Sequence, residues 1–172
     1  MHSTQCSFEA LAFYRGTSER YSPRTPYIAN VRKDRRPLNS NFDAHAVADR
    51  WMLDSFGIRF RSSALFVTSN LRAATHYAST PNHVARIIPI DQYTICWSPI
   101  VSDMLSISEF LDFQSESSLR SALDKCQYRT GELASACESG NEVMLSCERY
   151  VGIPIACIDV LPASDPQLIL PT

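Results

Sequence analysis

Residues 140–154, GNEVMLSCERYVGIP, contain a carboxylate at the point where a turn leads into an apolar strand. The pair Gly140-Asn141 is typical of a turn, and the run Val143-Met144-Leu145 is typical of a buried strand. Glu142 stands between the two, so we place it at the mouth of the strand, where its side chain can point into a cleft. Because a glutamate in such a position more often only solvates a strand end, its interpretation depends on two other stretches of the chain.

The composition is that of a soluble globular domain. A chain of 172 residues with 45% hydrophobic and 20% charged residues is long enough to bury a sizeable core in one domain. A net charge of −2 argues against a surface dominated by nucleic-acid or membrane binding. The six cysteines form no C-x-x-C pair and the four histidines are far apart in sequence, so we expect no metal centre.

The sequence also bears on the compartment. No stretch has the ~20 apolar residues of a membrane-spanning helix, and the first residues lack the pattern of a signal peptide. We therefore expect a cytoplasmic protein with no membrane partner, and delivery into a target cell is the alternative.

Hydrophobic periodicity predicts a single α+β domain, with its core over about residues 8–161 and a Pro-rich tail over 162–172. The predicted strands occupy residues 10–15, 65–68, 84–90, 93–97, a run beginning at Glu142, and 153–160. The predicted helices occupy residues 42–56, 71–77, 107–113, 117–126 and 131–138. We expect Ser40 or Asn41 to cap the first helix, Gly57 to end it, and residues 58–61 to form an edge strand or an entry loop.

The polar segment of residues 17–41 contains the basic cluster Arg32-Lys33-Asp34-Arg35-Arg36. A connection of this length in a compact domain is either functional or mobile. A solvated loop is the favoured interpretation of the cluster, and a phosphate-binding clamp is the alternative. Arg59 and Arg61 leave a similar choice open, since they either reinforce a phosphate site or line an edge of the sheet.

Three motifs follow one another along the chain: Phe13-Tyr14-Arg15-Gly16 on an early strand, residues 65–70 (LFVTSN) on a strand that enters a helix, and residues 140–145 (GNEVML) at the start of a late strand. In this order they resemble the ADP-ribosyltransferase fold, in the branch whose site is an arginine, a serine and a glutamate on three strands. The resemblance covers about residues 10–155. It implies two β-sheets that form an NAD-binding cleft flanked by short helices, and a mono-ADP-ribosyltransferase of the toxin, effector or phage-modifier type.

The resemblance implies that Arg15 holds the pyrophosphate of NAD, that Ser69 orients Glu142, and that Glu142 holds the ribose 2′-hydroxyl. The chemistry suits these residue types, because a carboxylate stabilises the ribose cation that forms as nicotinamide leaves, and a guanidinium binds phosphate oxygens bidentately. The chain reads Val67-Thr68-Ser69 where the family commonly has Ser-Thr-Ser. Thr68 and Ser69 therefore compete for the orienting role. The pair Ser69-Asn70 also suits the cap of the helix that follows, and Ser69 is as well suited to that cap as to the site.

Further residues are expected to surround the NAD. Phe66 and Tyr77 carry rings that suit nicotinamide stacking, although both also suit the core. The expected catalytic residues are Arg15, Ser69 and Glu142. The expected NAD-binding residues are Tyr14, Arg15, Gly16, Phe66, Thr68, Ser69 and Tyr77.

The acceptor is constrained by Gly140, which stands where relatives that modify arginine carry a second glutamate. An arginine acceptor is therefore disfavoured, which leaves another protein side chain, a nucleic acid, a small molecule or water. We expect protein before nucleic acid, with an immunity or inhibitor protein as a further partner, whereas water as acceptor would make the protein an NAD glycohydrolase. Two further hypotheses stay open: a catalytically silent relative that binds a partner protein through Arg32–Arg36, and an unrelated α+β enzyme.

Overall fold

The computed structural model of the protein describes residues 7–36 and 41–158. The predictions for Ser40, for residues 159–161 and for the tail 162–172 lie outside these residues. The strands are β1 Tyr14–Gly16, β2 Tyr27–Asn30, β3 Leu65–Thr68, β4 Val84–Pro89, β5 Thr94–Trp97, β6 Arg129–Thr130, β7 Glu142–Ser146 and β8 Arg149–Pro154. The helices are α1 Phe42–Phe56, α2 Phe60–Ser63, α3 Leu71–His76, α4 Ser108–Leu111, α5 Glu116–Lys125, α6 Leu133–Ser139 and α7 Ile155–Ile158, and Phe8–Ala10 and Met104–Ser106 are 3-10 turns.

The predicted α+β class is confirmed, and so are both ends of the first long helix. The Asn41 side chain accepts hydrogen bonds from the N–H groups of Asp43 and Ala44 at the start of α1. Gly57 ends that helix with a φ of 74°, a left-handed conformation that glycine adopts without a Cβ clash. Local cap chemistry therefore fixes where this helix begins and ends.

Two predicted segments near the N-terminal motifs are corrected by the structure. β1 begins at Tyr14 rather than at residue 10, because Phe8–Ala10 forms a 3-10 turn. Residues 58–61 do not form the predicted strand or entry loop, because α2 begins at Phe60. Four residues are too few for a helix and a strand to be told apart by their hydrophobic pattern.

Two further corrections concern β2 and β8. The segment predicted as a long loop contains β2, which pairs with β8 from Tyr27–Gly152 to Asn30–Arg149. The strand predicted over residues 153–160 begins earlier, at Arg149, and ends where α7 begins at Ile155. Both differences arise from pairing between distant segments, which a local pattern does not record.

The described strands form one antiparallel sheet in the order β2-β8-β4-β1-β3-β7-β5-β6. The resemblance implies two β-sheets, whereas the described strands form one hydrogen-bonded array, in which β1 and β3 join two groups of four strands. The join is narrow, because β1 contacts β3 through the single pair Tyr14–Thr68, whereas β3 pairs with β7 from Leu65–Leu145 to Thr68–Glu142.

The short link between β7 and β8 requires this sheet to bend. Only Cys147 and Glu148 separate the two strands in the chain, yet they lie four strand spacings apart in the sheet. In a flat sheet that separation is about 19 Å, whereas the chain from Ser146 to Arg149 spans at most about 11 Å. The half β2-β8-β4-β1 must therefore fold back toward the half β3-β7-β5-β6. Residues 140–154 decide the fold because they place one strand in each half.

Two hydrophobic cores result from this arrangement. The first unites side chains of both halves of the sheet, among them Leu65, Val67, Ala85, Ile87, Val143, Leu145 and Tyr150. The second joins the other face of β3, β5 and β7 to the helices, among them Trp51, Met52, Cys96, Phe110, Leu119, Leu123 and Met144. None of the helices in the described residues has the length and apolar character needed to cross a membrane.

Candidate active site

The three predicted motifs lie side by side across the narrow join of the sheet. Thr68 of β3 pairs with Tyr14 of β1 on one side and with Glu142 of β7 on the other. Residues directly opposite each other in antiparallel strands have Cα atoms about 4.5–5.5 Å apart. Three motifs that are far apart in the sequence therefore meet in one row.

Glu142 is the first residue of β7, and its side chain is 20% exposed. Its N–H donates to the Ser102 carbonyl at 2.7 Å. The backbone N–H of Met104 favours the charged form of its carboxylate and so lowers its pKa. One carboxylate oxygen lies 3.9 Å from Nη1 of Arg61. Burial raises the pKa of Glu142, Arg61 opposes that rise, and the nearby carboxylate of Asp103 adds to it. The acid is thus held in position among charged groups.

Arg15 lies beside this row on β1. Its Nη1 donates a hydrogen bond of 3.0 Å to the carbonyl of Phe66 on β3. Burial lowers the pKa of Arg15, while the neighbouring Tyr150 and Tyr27 and the carboxylate of Glu142 favour its charged form. The structure therefore brings Arg15 and Glu142 close enough for their charges to interact.

The ring of Phe66 makes contacts that the sequence did not predict. The guanidinium carbon of Arg35 lies 4.2 Å from the centroid of the Phe66 ring, and that of Arg61 lies 4.7 Å from it. Arg61 also lies 5.2 Å from the ring centroid of Phe110. Burial, together with the charges of Arg15 and Arg61, lowers the pKa of Arg35 to about 10. The ring that we predicted for nicotinamide stacking is in contact with guanidinium groups in this structure.

The hydroxyls of Thr68 and Ser69 donate hydrogen bonds to the segment that precedes Glu142. The Thr68 hydroxyl donates to the Gly140 carbonyl at 2.8 Å, and the Ser69 hydroxyl donates to the carbonyl of Cys137 near the end of α6. These bonds tie the end of β3 to the segment that leads into β7. Both hydroxyls therefore help to fix where the Glu142 strand begins.

Within the described residues no hydrogen bond joins the Ser69 hydroxyl to the Glu142 carboxylate, because that hydroxyl donates to the Cys137 carbonyl. The structure also decides the question of the helix cap. Asn70, rather than Ser69, caps α3, since its side chain accepts a hydrogen bond from the N–H of Ala73. An orienting role of Ser69 would thus act through the backbone turn.

Gly16 and Tyr77 lie where the end of α3 packs on β1. A Cβ at Gly16 would lie 2.5 Å from the carbonyl oxygen of Ala74, so this close approach requires glycine. Tyr77 follows directly after α3 and is 59% exposed. Burial and the carboxylates of Asp103 and Glu142 raise the pKa of Tyr77, so its phenol shares their environment.

The basic segment Arg32–Arg36 divides into two parts in the structure. At the surface, Lys33 forms an ion pair with Glu148. Arg35 turns inward, where its Nη1 donates to the Ala64 carbonyl at 2.9 Å. The segment is therefore neither a uniformly solvated loop nor a uniformly exposed binding surface.

Sequence reasoning left Arg35 and Arg61 undecided and missed Asp103 and Met104. Asp103 accepts a hydrogen bond from Ser106 at the start of a 3-10 turn, and an aspartate before a short turn is a recognisable cap signal. That signal locates the turn in the chain but not its contact with β7. The contact depends on the tertiary fold.

An open groove of about 1430 Å³ lies at the other end of β7 and includes none of the predicted site residues; among its lining residues are Lys33, Asp91, Glu132, Ser146 and Glu148. The charges in this groove already have partners, because Lys33 pairs with Glu148 and Asp91 pairs with Arg149. Paired charges offer a weak anchor for an ionic ligand. The candidate site is therefore the region around Glu142 rather than the groove.

Comparison with known proteins adds no relative to this picture. No protein-family model, curated protein or solved structure matches this chain. A function must therefore be argued from the residues and their geometry.

Proposed function

We propose that the protein is a mono-ADP-ribosyltransferase, which cleaves NAD and transfers its ADP-ribose to an acceptor. The observation that carries this proposal is the row of Tyr14, Thr68 and Glu142 with Arg15 beside it. The row puts a half-buried carboxylate and a half-buried guanidinium close enough for their charges to interact. Such a pair suits a substrate that has an anionic diphosphate and develops a cation at a ribose carbon. The motif resemblance points to NAD as that substrate.

In the proposed reaction, the bond between ribose C1′ and the nicotinamide nitrogen breaks. Its electron pair leaves with nicotinamide, which becomes a neutral pyridine, and positive charge develops on the ribose. The Glu142 carboxylate stabilises this charge, as carboxylates do for the related cation in glycoside hydrolysis. A nucleophile of the acceptor then bonds to C1′ and loses its proton to solvent or to a base.

Glu142 has to be ionised for this role. The Met104 N–H and the Arg61 guanidinium both favour its charged form, whereas burial and Asp103 favour the neutral form. The 3.9 Å separation between Arg61 and Glu142 exceeds a hydrogen-bond distance. The Glu142 carboxylate can therefore still accept a hydrogen bond from a ribose hydroxyl.

The residue two positions before Glu142 limits which acceptor we propose. Gly140 has a φ of 70° and ends α6, so an acidic side chain there would strain the backbone. This favours an acceptor other than arginine. Water is one of the acceptors that remain, in which case the protein is an NAD glycohydrolase.

The test is the release of nicotinamide from NAD by Glu142→Gln. Glutamine keeps the size of the side chain but removes the charge, so we expect a loss of about 100-fold or more in turnover. Glu148→Gln is the matched control, because Glu148 is an exposed glutamate paired with Lys33. Circular dichroism and thermal unfolding of both variants should match the wild type. Turnover by Glu142→Gln at the wild-type rate would contradict the proposal.

The acceptor is tested separately with NAD labelled in its adenylate part and a cell lysate. Label on protein or nucleic acid identifies a transferase and the class of its acceptor. Label that appears only in free ADP-ribose identifies the glycohydrolase. Absence of nicotinamide release under either condition would remove both candidates.

A further inference from the structure

Three arginines from separate parts of the chain gather around Phe66. Arg15 comes from β1 and donates to the Phe66 carbonyl at 3.0 Å. Arg35, from the segment before α1, and Arg61, from α2, lie 4.2 and 4.7 Å from the centroid of the Phe66 ring. We call this group the Phe66 arginine cluster.

The partners of these guanidinium groups are mostly neutral. Arg15 and Arg35 donate to the carbonyls of Phe66 and Ala64. Within the described residues, the cluster has one ion pair with an acid, in which Arg61 lies 3.9 Å from Glu142. Hydrogen bonds to carbonyls satisfy individual N–H groups but do not neutralise the charges.

Arg61 is the member whose situation most requires a ligand. Its side chain is 8% exposed, and its buried Nε has no hydrogen-bond partner among the described residues. A buried charge is costly unless it is paired and hydrogen-bonded, and like charges nearby increase the cost. The lowered pKa of Arg35, which burial and its two arginine neighbours cause, is consistent with such mutual repulsion.

Arg59 differs from Arg61 because it is exposed and has a closer carboxylate partner. It is two residues before Arg61, its side chain is 52% exposed, and its Nη1 lies 3.3 Å from the carboxylate of Asp49. Asp49 also accepts hydrogen bonds from the N–H and the hydroxyl of Ser62. Arg59 therefore has a local structural role and serves as a control for its neighbour.

We propose that Arg15, Arg35 and Arg61 together form a cradle for a diphosphate group, with Arg35 and Arg61 as binding residues in addition to Arg15. Guanidinium groups bind phosphate oxygens in a planar, bidentate manner, and three of them suit two linked phosphoryl groups better than one. As a statement about NAD, this inference rests on the proposed function. As a diphosphate site, it can be tested without any enzymatic activity.

The test is calorimetric titration of the full chain with ADP-ribose, with ADP, which lacks only the terminal ribose, and with AMP, which also lacks the second phosphoryl group. We expect ADP-ribose to bind at least about ten-fold more tightly than AMP, since each charged hydrogen bond contributes substantially. Arg35→Gln and Arg61→Gln should each weaken ADP-ribose binding by about ten-fold or more. Arg59→Gln should leave it within about two-fold of wild type.

A variant that fails to fold is replaced by Arg35→Lys or Arg61→Lys, which keeps the charge but loses the bidentate geometry. These variants should also bind ADP-ribose more weakly than wild type. Equal binding of AMP and ADP-ribose overturns the cradle, and so does wild-type affinity in the variants at positions 35 and 61.

The two proposals fail in different ways. Tight binding of ADP-ribose that depends on Arg35 and Arg61, without release of nicotinamide from NAD, leaves the cradle in place and removes the proposed function. Turnover of NAD with an unchanged KM in both glutamine variants supports the function and removes the cradle.

Discussion

Arg120 on α5 and Arg61 on α2 are held in opposite ways. Arg120 is 32% exposed, its Nη2 lies 2.8 Å from Asp54, and its Nη1 lies 3.6 Å from Glu116. Arg61 is almost fully buried, yet its one described carboxylate contact is the longer approach to Glu142. The same contrast holds between Arg149, which binds Asp91 through two nitrogens at the surface, and Arg35, which lies against a ring and a carbonyl.

This contrast reverses the usual relation between burial and pairing. Water can solvate an exposed arginine, so its ion pair adds little, whereas a buried arginine needs its partner. Arg120 and Arg149 have carboxylate partners although they need them least. The Phe66 arginine cluster is underpaired by comparison, and so is Arg86, whose described hydrogen bonds go to backbone carbonyls. Local rules are commonly violated at functional sites. The difference therefore supports the proposed ligand site with an observation that does not depend on the motif resemblance.

The largest effect that tests the contrast is expected from Arg15→Gln. Glutamine is shorter than arginine and carries no charge, so the KM for NAD should rise about 10- to 100-fold through loss of charged hydrogen bonds. The turnover at saturation should change less, because Arg15 is proposed to bind the substrate rather than the reacting carbon. Steady-state release of nicotinamide measures both quantities.

Arg149→Gln is the surface counterpart of that experiment. Arg149 is paired with Asp91 and lies outside the candidate site, so the KM for NAD should not change. An unchanged KM in Arg15→Gln, or an equal rise in Arg149→Gln, would show that the two classes of arginine do not differ in function.

Part of this site could be predicted from the sequence because it depends on local chemistry. Gly140 ends α6, and the apolar run after Glu142 forms β7, so the acid lies at a strand mouth as the turn and strand signals indicate. The strand before Ser69 and the cap of α3 follow from equally local signals. The proximity of Arg15 was expected from the motif resemblance rather than from the pattern itself.

The remaining part could not be predicted, because it depends on which distant segments meet. A run of five residues with four positive charges ordinarily indicates a solvated surface, and nothing in its letters distinguishes the inward Arg35 from the exposed Lys33. Arg61 is buried because it lies on α2 and contacts the rings of Phe66 and Phe110, which come from other parts of the chain. The proximity of Asp103 to Glu142 likewise arises from tertiary packing.

The pH dependence of turnover should respond to the charges around Glu142 in opposite directions. Burial raises the pKa of Glu142, so the ionised form, and with it the turnover, should increase as the pH rises through that raised pKa. Asp103→Asn removes a like charge but keeps a side chain that can cap the 3-10 turn. The rising limb of the pH–rate profile should therefore move to lower pH.

Arg61→Met gives the opposite shift. The guanidinium of Arg61 lowers the pKa of Glu142, so its removal should move the rising limb to higher pH. Profiles of nicotinamide release between about pH 4 and pH 9, spanning the ordinary carboxyl range and above, measure both shifts. Two variants that move the limb in the same direction, or do not move it, would mean that Glu142 is not the ionisation that controls turnover.

The smallest effects are expected on stability, and here the two classes of arginine should differ in sign. Arg120→Gln removes an exposed ion pair and should lower the free energy of unfolding by about 0.2–1 kcal/mol. Arg61→Met should leave that free energy unchanged or raise it, because methionine fills the space beside Phe66 and Phe110 without an underpaired buried charge. Urea unfolding at pH 7 measures both values. Breaking a buried ion pair costs about 3 kcal/mol or more. If Arg61→Met lowers the free energy of unfolding by that amount, Arg61 stabilises the fold through Glu142. The contrast between the two arginines would then have a structural rather than a functional cause.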